Sequence, residues 1–277
     1  MRLALLRACS PLAIIWASSS MGCGGNGSLP AFTSSVTTTP NPQVARYTVT
    51  SGRPATVSIE FGADTNYGLN TWRQTSANRA PVSISVAGMR ANTLYHMRAR
   101  VQFDDGTVTY DADRTFTTGS FGTKLPDIQT TVAPGAAPAG GIELVDATAG
   151  APKDYLQAYA TDLQGNVIWG YDFPDRDQNS ILYVLKPLPN GHFLAMISGF
   201  STAGITPNQS SNTNVLREID LAGNTIREIT LDQLNQQLHS AGYDFTLSAF
   251  HHYVAVLPNG HWVALANIVN PFTDLPG

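Results

Sequence analysis

The sequence of 277 residues predicts an all-β protein, in which a β-sandwich is followed by the first two to three blades of an incomplete β-propeller. Short segments rich in β-branched and aromatic residues are separated by Gly, Asn, Asp and Pro at the spacing of a sandwich. Two different turn sequences recur in the second half of the chain. Charged residues make up only 13% of the chain, and long amphipathic helical patterns are scarce.

The composition excludes several classes of function. The formal net charge is −4, and the chain has no basic run and only three lysines, so we expect no nucleic-acid partner. Both cysteines, Cys9 and Cys23, lie near the N-terminus. The remainder of the chain therefore has no disulfide, no thiol nucleophile and no zinc-thiolate site. We expect neither a cofactor nor a metal.

Residues 1–23 have the features of an export leader. Arg2 and Arg7 precede a short apolar core, "ACSPLAIIWA", which is too short for a stable membrane span. "SMGC" resembles a bacterial lipobox, which implies lipidation at Cys23; ordinary cleavage and an uncleaved anchor are the alternatives. We expect an exported protein, periplasmic or on the cell surface, with possible attachment to the membrane through Cys23. Residues 24–42 are predicted to be a flexible tether.

Residues 43–119 form the predicted sandwich. The segments "PATVSIEFG", "PVSISVAGM" and "TLYHMRARVQF" read as strands. "MRANTLYHMRARV" resembles the pattern of fibronectin type III domains, which implies that Tyr95 is the tyrosine-corner residue. Such domains usually serve as spacers or docking modules, and His96 is expected to be an ordinary strand residue.

Residues 120–140, rich in Pro, Gly and Ala, are the predicted linker to a partial propeller over residues 141–277. There "DLQGNVIW" at Asp162–Trp169 matches "DLAGNTIR" at Asp220–Arg227. "LPNGHFLAM" at Leu188–Met196 matches "LPNGHWVAL" at Leu257–Leu265. Each match is a hairpin turn, because Gly adopts positive φ and Asn or Asp bonds its own backbone.

The order of these hairpins predicts blades of four antiparallel strands. A short polar helix is expected in "LDQLNQQLHSAGYDFTLS". A propeller closes with at least about four blades, so we expect the chain to be the N-terminal portion of a longer protein. The predicted strands are Ile142–Ala147, Tyr155–Thr161 and Val167–Tyr171; then Ile181–Lys186, His192–Gly199, Asn214–Asp220 and Thr225–Thr230; then His252–Leu257 and Trp262–Val269.

The histidines divide into two groups. His192 and His261 follow Pro-Asn-Gly at equivalent places in the repeat, which indicates an architectural role. His251 and His252 break the repeat and are expected at the start of an innermost strand, near the propeller axis. Strand alternation predicts that their rings point to opposite faces. The pair is a candidate base, nucleophile or anion site, with metal binding the least supported reading and simple packing the alternative.

"DLxGNxIW", "LPNGHFLAMI" and "FHHYVAVLPNGHWVALA" resemble the bacterial arylsulfotransferases, PAPS-independent aryl-sulfate sulfotransferases built on exported β-propellers. The resemblance implies that His251 and His252, which match the family's "HHD"-type motif, help to bind the sulfuryl group. Tyr253 stands where the family commonly has Asp. Tyr243 and Phe245 are candidates for stacking on a phenol ring.

The resemblance also implies a ping-pong reaction between aryl sulfates and phenols, with a nucleophilic histidine in later blades. The chain alone is therefore expected to be inactive. One competing hypothesis is a non-catalytic surface lipoprotein whose propeller binds carbohydrate or a protein partner. Another is a quinone-dependent dehydrogenase, which is disfavoured because the Trp-docking repeats typical of that class are absent.

Overall fold

The computed structural model describes residues 32–76, 79–137, 139–146, 154–173, 180–199 and 214–269. Eighteen strands and one helix lie in these ranges, so the all-β prediction is confirmed. The described helix is too short and too polar to cross a membrane. The predicted leader, with Cys9 and Cys23, lies outside the described residues.

The N-terminal unit is a sandwich of two antiparallel sheets. One sheet has the order β1-β2-β6, and the other follows the path β4-β3-β7-β8, with β5 on β3 and β9 on β7. The strands are β1 (Phe32–Thr38), β2 (Ala45–Ser51), β3 (Ala55–Gly62), β4 (Leu69–Asn70), β5 (Gln74–Ser76), β6 (Val82–Val86), β7 (Leu94–Phe103), β8 (Val108–Tyr110) and β9 (Arg114–Thr117).

The core of the sandwich follows from the alternation of its strands. In β7, every second residue from Tyr95 to Phe103 is buried, and Tyr47 and Ile59 from the two opposing sheets are fully enclosed. The Tyr95 hydroxyl accepts a hydrogen bond from the backbone N–H of Arg90 at 2.9 Å. This contact has the geometry of a tyrosine corner; membership of the fibronectin type III family stays a prediction.

The tether predicted for residues 24–42 is wrong from Phe32 onward. Phe32 to Thr38 form a strand that pairs with β2 along its whole length, and Phe32 is buried in the sandwich core. The Ser- and Thr-rich sequence resembles a linker because this strand lies at a sheet edge, where its outward side chains contact water. The pairing partner, which cannot be read from these residues, makes the segment a strand.

The next part of the chain consists of three sheets in succession. They have the orders β10-β11-β12, β13-β14-β15-β16 and β17-β18, and every neighbouring pair is antiparallel. The elements are β10 (Glu143–Asp146), β11 (Ala158–Thr161), β12 (Val167–Tyr171), β13 (Ser180–Pro187), β14 (Phe193–Gly199), β15 (Val215–Ile219), β16 (Thr225–Thr230), α1 (Leu231–Ser240), β17 (Thr246–Val256) and β18 (Trp262–Val269).

The middle sheet confirms the predicted four-strand plan, with boundaries within about two residues of those read from the repeat. The predicted helix is also confirmed as α1. Its N-terminus is closed by a capping box, in which Thr230 Oγ1 accepts from the Gln233 N–H at 3.2 Å and Gln233 Oε1 accepts from the Thr230 N–H at 2.9 Å.

The third sheet begins earlier than predicted. β17 starts at Thr246, six residues before His252, because Leu247 and Phe250 pack into the core shared with the middle sheet. The Asn235 side chain of α1 fixes this start by bonding both the N–H and the C=O of Leu247, at 2.8 and 2.9 Å.

A loop of the sandwich closes the edge of the first of the three sheets. The Asn41 side-chain amide donates to the Gly170 carbonyl at 2.7 Å, and the Gln43 amide donates to the Val167 carbonyl at 3.1 Å. Both side chains are buried, and Val44 lies in the same hydrophobic cluster as residues of β11 to β15. The sandwich therefore covers an edge strand whose carbonyls need donors.

The Pro-Asn-Gly-His turn is held by a buried carboxylate. Gly191 adopts φ +82°, and the Asn190 side chain accepts from the His192 N–H at 3.1 Å. The His192 ring approaches Glu218 on β15 to 2.7 Å, and Arg227 on β16 donates to the same carboxylate at 2.6 Å. This geometry supports the architectural role predicted for His192.

The buried amide of Asn41 provides a test of the covered edge. Asn41→Ala is expected to lower the free energy of unfolding by about 1–3 kcal/mol, because the carbonyl of Gly170 loses its donor in a buried place. Urea denaturation measures this change. Asn70→Ala, at an exposed position of β4, is the control and should change the value by less than about 0.5 kcal/mol. Equal effects of the two substitutions would contradict the assigned role.

Glu218 gives a pH-dependent prediction. Burial acts to raise the pKa of its carboxyl, but the hydrogen bonds from His192, Arg227 and Asn190 outweigh burial and leave the pKa below the ordinary value. The stabilisation is therefore present above the ordinary glutamate pKa and is lost as the pH falls through the lowered value. Thermal unfolding across this acidic range should show a shallower loss of stability for Glu218→Gln than for the wild type. Parallel pH profiles would be the contrary result.

Candidate functional site

The first strands of the second and third sheets are distorted at the same place in the repeat. In β13, Leu182 pairs with Ile197 and Val184 with Met196, so Tyr183 is an extra residue. In β17, Phe250 pairs with Ala266 and Val254 with Ala264, so residues 251–253 face a single partner residue. Both distortions are β-bulges, which turn side chains out of the regular alternation of a strand.

The bulge brings His251 and His252 together. His252 adopts φ +51°, a left-handed conformation that is uncommon for a residue with a Cβ atom. The two ring centroids are 3.8 Å apart, and the two Nδ1 atoms are 2.5 Å apart. The prediction that alternation sends the rings to opposite faces is therefore wrong, because the bulge interrupts the alternation at these residues.

The position of the pair within its strand also differs from the prediction. His251 and His252 are the sixth and seventh residues of β17, in its middle and not at its start. Phe250 and Val254, which flank the bulge, are both buried, whereas His251 is half-buried and His252 is exposed. The core therefore fixes both ends of the bulge, and the histidines are presented at the surface.

The contact between the two Nδ1 atoms restricts which ring nitrogens can act as donors. A hydrogen bond between the two Nδ1 atoms requires one ring to donate and the other to accept. If His252 Nδ1 accepts, its Nε2 carries a proton and acts as a donor; if His252 Nδ1 donates, its Nε2 offers a lone pair. The pair is thus suited to donate a hydrogen bond to an anion or to accept a proton.

Tyr183 completes this arrangement from the neighbouring strand. Its ring lies 5.2 Å from the His252 ring in an edge-on arrangement and 6.4 Å from the His251 ring. Its hydroxyl oxygen is 3.5 Å from His252 Nε2. Counted back from the two Leu-Pro-Asn-Gly-His turns, Tyr183 and His252 occupy equivalent positions, and the packing of β13 beside β17 brings these positions together.

The other predicted substrate-binding residues lie in the segment between α1 and β17, outside the two bulged strands. Tyr243 and Phe245 follow α1, and their rings are in a tilted contact with centroids 5.5 Å apart and an interplanar angle of 51°. Phe245 packs against the core between the second and third sheets, and Tyr243 is 53% exposed. Their role as an aromatic platform stays a prediction. His239 of α1 contacts the carbonyl of Phe245 at 3.1 Å.

The described residues contain no group of three or more His, Cys, Asp or Glu side chains placed to hold a metal ion. The histidine pair contacts the Tyr183 ring, and neither β13 nor β17 contains an Asp or Glu. The ionisable side chains that these two strands carry are therefore those of His, Tyr and Lys.

Comparisons with known proteins identify a family for the part of the chain that carries this site. Searches of curated proteins and of solved structures found no match. Residues 136–273 match the family model for arylsulfotransferase (ASST). The matched range includes all three successive sheets, α1 and the histidine pair. Through residues 136–273, the chain belongs to the arylsulfotransferase family.

Proposed function

We propose that the protein is an aryl-sulfate sulfotransferase, which transfers a sulfuryl group from a phenolic sulfate ester to a phenol. Family membership supports arylsulfotransferase-like function in general. The observation that carries the specific proposal is the bulge in β17, which presents two imidazoles in contact at the surface of a first strand. A local distortion at unusual φ, held by buried flanking residues, is typical of a functional site.

In this proposal His251 and His252 support the sulfuryl group. Negative charge on the sulfuryl oxygens is offset by N–H donors that are already in place before the reaction. In the ring that accepts at Nδ1, the outer nitrogen Nε2 carries a hydrogen and is a donor. Tyr183 limits the freedom of His252 by packing edge-on against its ring.

The nucleophile is assigned to a histidine other than this pair. The remaining histidines of the chain have other surroundings: His192 bonds Glu218, His96 bonds Asp113 on the sandwich, His239 lies on α1, and His261 lies in a turn. We therefore propose that the nucleophile is supplied by polypeptide beyond this chain, as the resemblance implies.

The proposed reaction has two balanced steps. In the first, the nucleophilic nitrogen forms a bond to sulfur while the sulfur–oxygen bond of the donor breaks, and the donor leaves as a phenol after taking up a proton. In the second, the oxygen of the acceptor phenol forms a bond to sulfur, the nitrogen–sulfur bond breaks, and the acceptor loses its proton. The phenol released from the donor can therefore leave before the acceptor phenol binds.

The reaction is tested in the complete gene product, with 4-nitrophenyl sulfate as donor and phenol as acceptor. Release of 4-nitrophenol with ping-pong kinetics is the expected result. Replacing His251 and His252 together with Ala should lower kcat at least about 100-fold, because donors aimed at the transferred group are lost. Thermal unfolding should change little, since both rings lie outside the core.

His261→Ala is the matched control. It removes an exposed imidazole from the Pro-Asn-Gly-His turn between β17 and β18 and should leave turnover nearly unchanged. A folded wild-type protein that releases no donor phenol would exclude the proposed activity. It would favour the competing hypothesis of a binding protein for carbohydrate or a protein partner. Loss of stability with unchanged specific activity in the double variant would show that the pair only packs.

We also propose that the protein is exported and anchored by a lipid on Cys23, in the periplasm or at the cell surface. The support is the leader sequence and its lipobox-like "SMGC". Metabolic labelling with a fatty-acid analogue in a bacterial host should label the wild type and leave Cys23→Ser unlabelled. Equal labelling of both proteins, or of neither, would exclude the lipid anchor.

A further inference from the structure

The Lys186 side chain reaches from β13 to Tyr253 of β17, the residue that follows the histidine pair. Its Nζ atom donates to the Tyr253 hydroxyl oxygen at 3.0 Å and lies 3.4 Å from the Val254 carbonyl oxygen. The ammonium is also 4.5 Å from the centroid of the Tyr253 ring, within the range of a cation–π contact. The side chain of Lys186 is half-buried, and Tyr253 is 52% exposed.

The contact between Lys186 and Tyr253 joins the same two strands as the contact between Tyr183 and His252. Tyr183 lies three residues before Lys186 on β13, and it meets His252. Tyr253 follows His252 directly on β17. The two strands thus make two successive contacts, Tyr183 with His252 and Lys186 with Tyr253. The imidazole, phenol and ammonium groups of these two contacts lie along the boundary between β13 and β17.

The side chains of β13 and β17 bring a positive charge to this boundary. Lys186 is the only Lys or Arg on β13 and β17, and neither strand carries a carboxylate. An Asp at the position of Tyr253, which the arylsulfotransferase resemblance would lead one to expect, would neutralise the ammonium at short range. The phenol of Tyr253 orients Lys186 and leaves its charge available to an anion.

Lys186 and Tyr253 each retain a hydrogen-bond donor. An ammonium has three N–H donors, of which one goes to Tyr253 and a second approaches the Val254 carbonyl. A phenol that accepts a hydrogen bond retains its own O–H as a donor. One N–H and one O–H therefore remain, on adjacent groups, for an acceptor with at least two oxygens.

We propose that Lys186 and Tyr253 form a binding pair for the anionic sulfate group of an aryl sulfate, next to His251 and His252. This proposal rests on the proposed sulfotransferase function and adds two specificity-determining residues to it. Charge-assisted hydrogen bonds from the ammonium provide most of the attraction. The hydroxyl of Tyr253 orients the bound group, so that the pair selects an anion over a neutral ester of the same shape.

The test measures ligand binding by the 277-residue chain, followed by the fluorescence of its aromatic residues. The probes are 4-nitrophenyl sulfate, which is anionic, and 4-nitrophenyl methanesulfonate, which is neutral and of similar shape. Lys186→Met should weaken binding of the sulfate about tenfold or more and leave binding of the neutral ester within about twofold. Lys186→Arg should restore most of the affinity, and Tyr253→Phe should show a smaller loss than Lys186→Met.

Lys124→Met is the matched control, because Lys124 is an exposed lysine that pairs with Asp154 away from these strands. Equal losses for both probes in Lys186→Met would mean that Lys186 acts only through packing, and they would overturn the proposal. Absence of sulfate binding by the wild-type chain would also overturn it.

The outcomes for binding and for catalysis are separable. Lys186-dependent selection of the anion, without transfer by the complete gene product, would retain the binding pair and exclude the sulfotransferase function. Transfer that is unaffected by Lys186→Met in both kcat and KM would retain the function and exclude the pair.

Discussion

The packing of β13 beside β17 is the interaction on which the site depends. A shared apolar core lies between the second and third sheets, and Phe250 and Val254 of β17 are both buried in it. The partner strand offers Leu265 alone opposite the three residues between these two anchors. Burial of both anchors is favourable by about 1.5–3 kcal/mol each, so the surplus residues must leave the sheet. His251, His252 and Tyr253 are thus presented outward by ordinary core packing.

The turns of the repeat keep the neighbouring strands in register with this site. His192, at the end of one turn, and Arg227 on β16 bind opposite oxygens of the buried Glu218. The guanidinium of Arg227 lies 4.3 Å from the ring centroid of Trp262, the first residue of β18. A charged network inside one sheet therefore contacts the next sheet directly, which couples the order of the second sheet to the placement of β17 and β18.

The repeat allowed much of the second half to be predicted, because hairpin turns of the Asp-x-x-Gly-Asn and Pro-Asn-Gly types act locally. Their Gly residues and side-chain caps define where a strand stops and the next begins. β1 and the first residues of β17 were missed because they are strands only through their partners: Phe32–Thr38 by pairing with β2, and Thr246–Phe250 by packing on α1 and the middle sheet. Neither segment carries a local signal strong enough to predict a strand without its partner.

By itself, the sequence determined the all-β class, the strand plan of the middle sheet, the architectural place of His192 and the departure of His251 and His252 from the repeat. Only the tertiary structure decided that the two imidazoles meet, that Tyr183 joins them and that Lys186 reaches Tyr253. The physical reason is that a bulge arises from a mismatch in residue number between two paired strands. This mismatch belongs to the pairing, so neither strand shows it when its sequence is read alone.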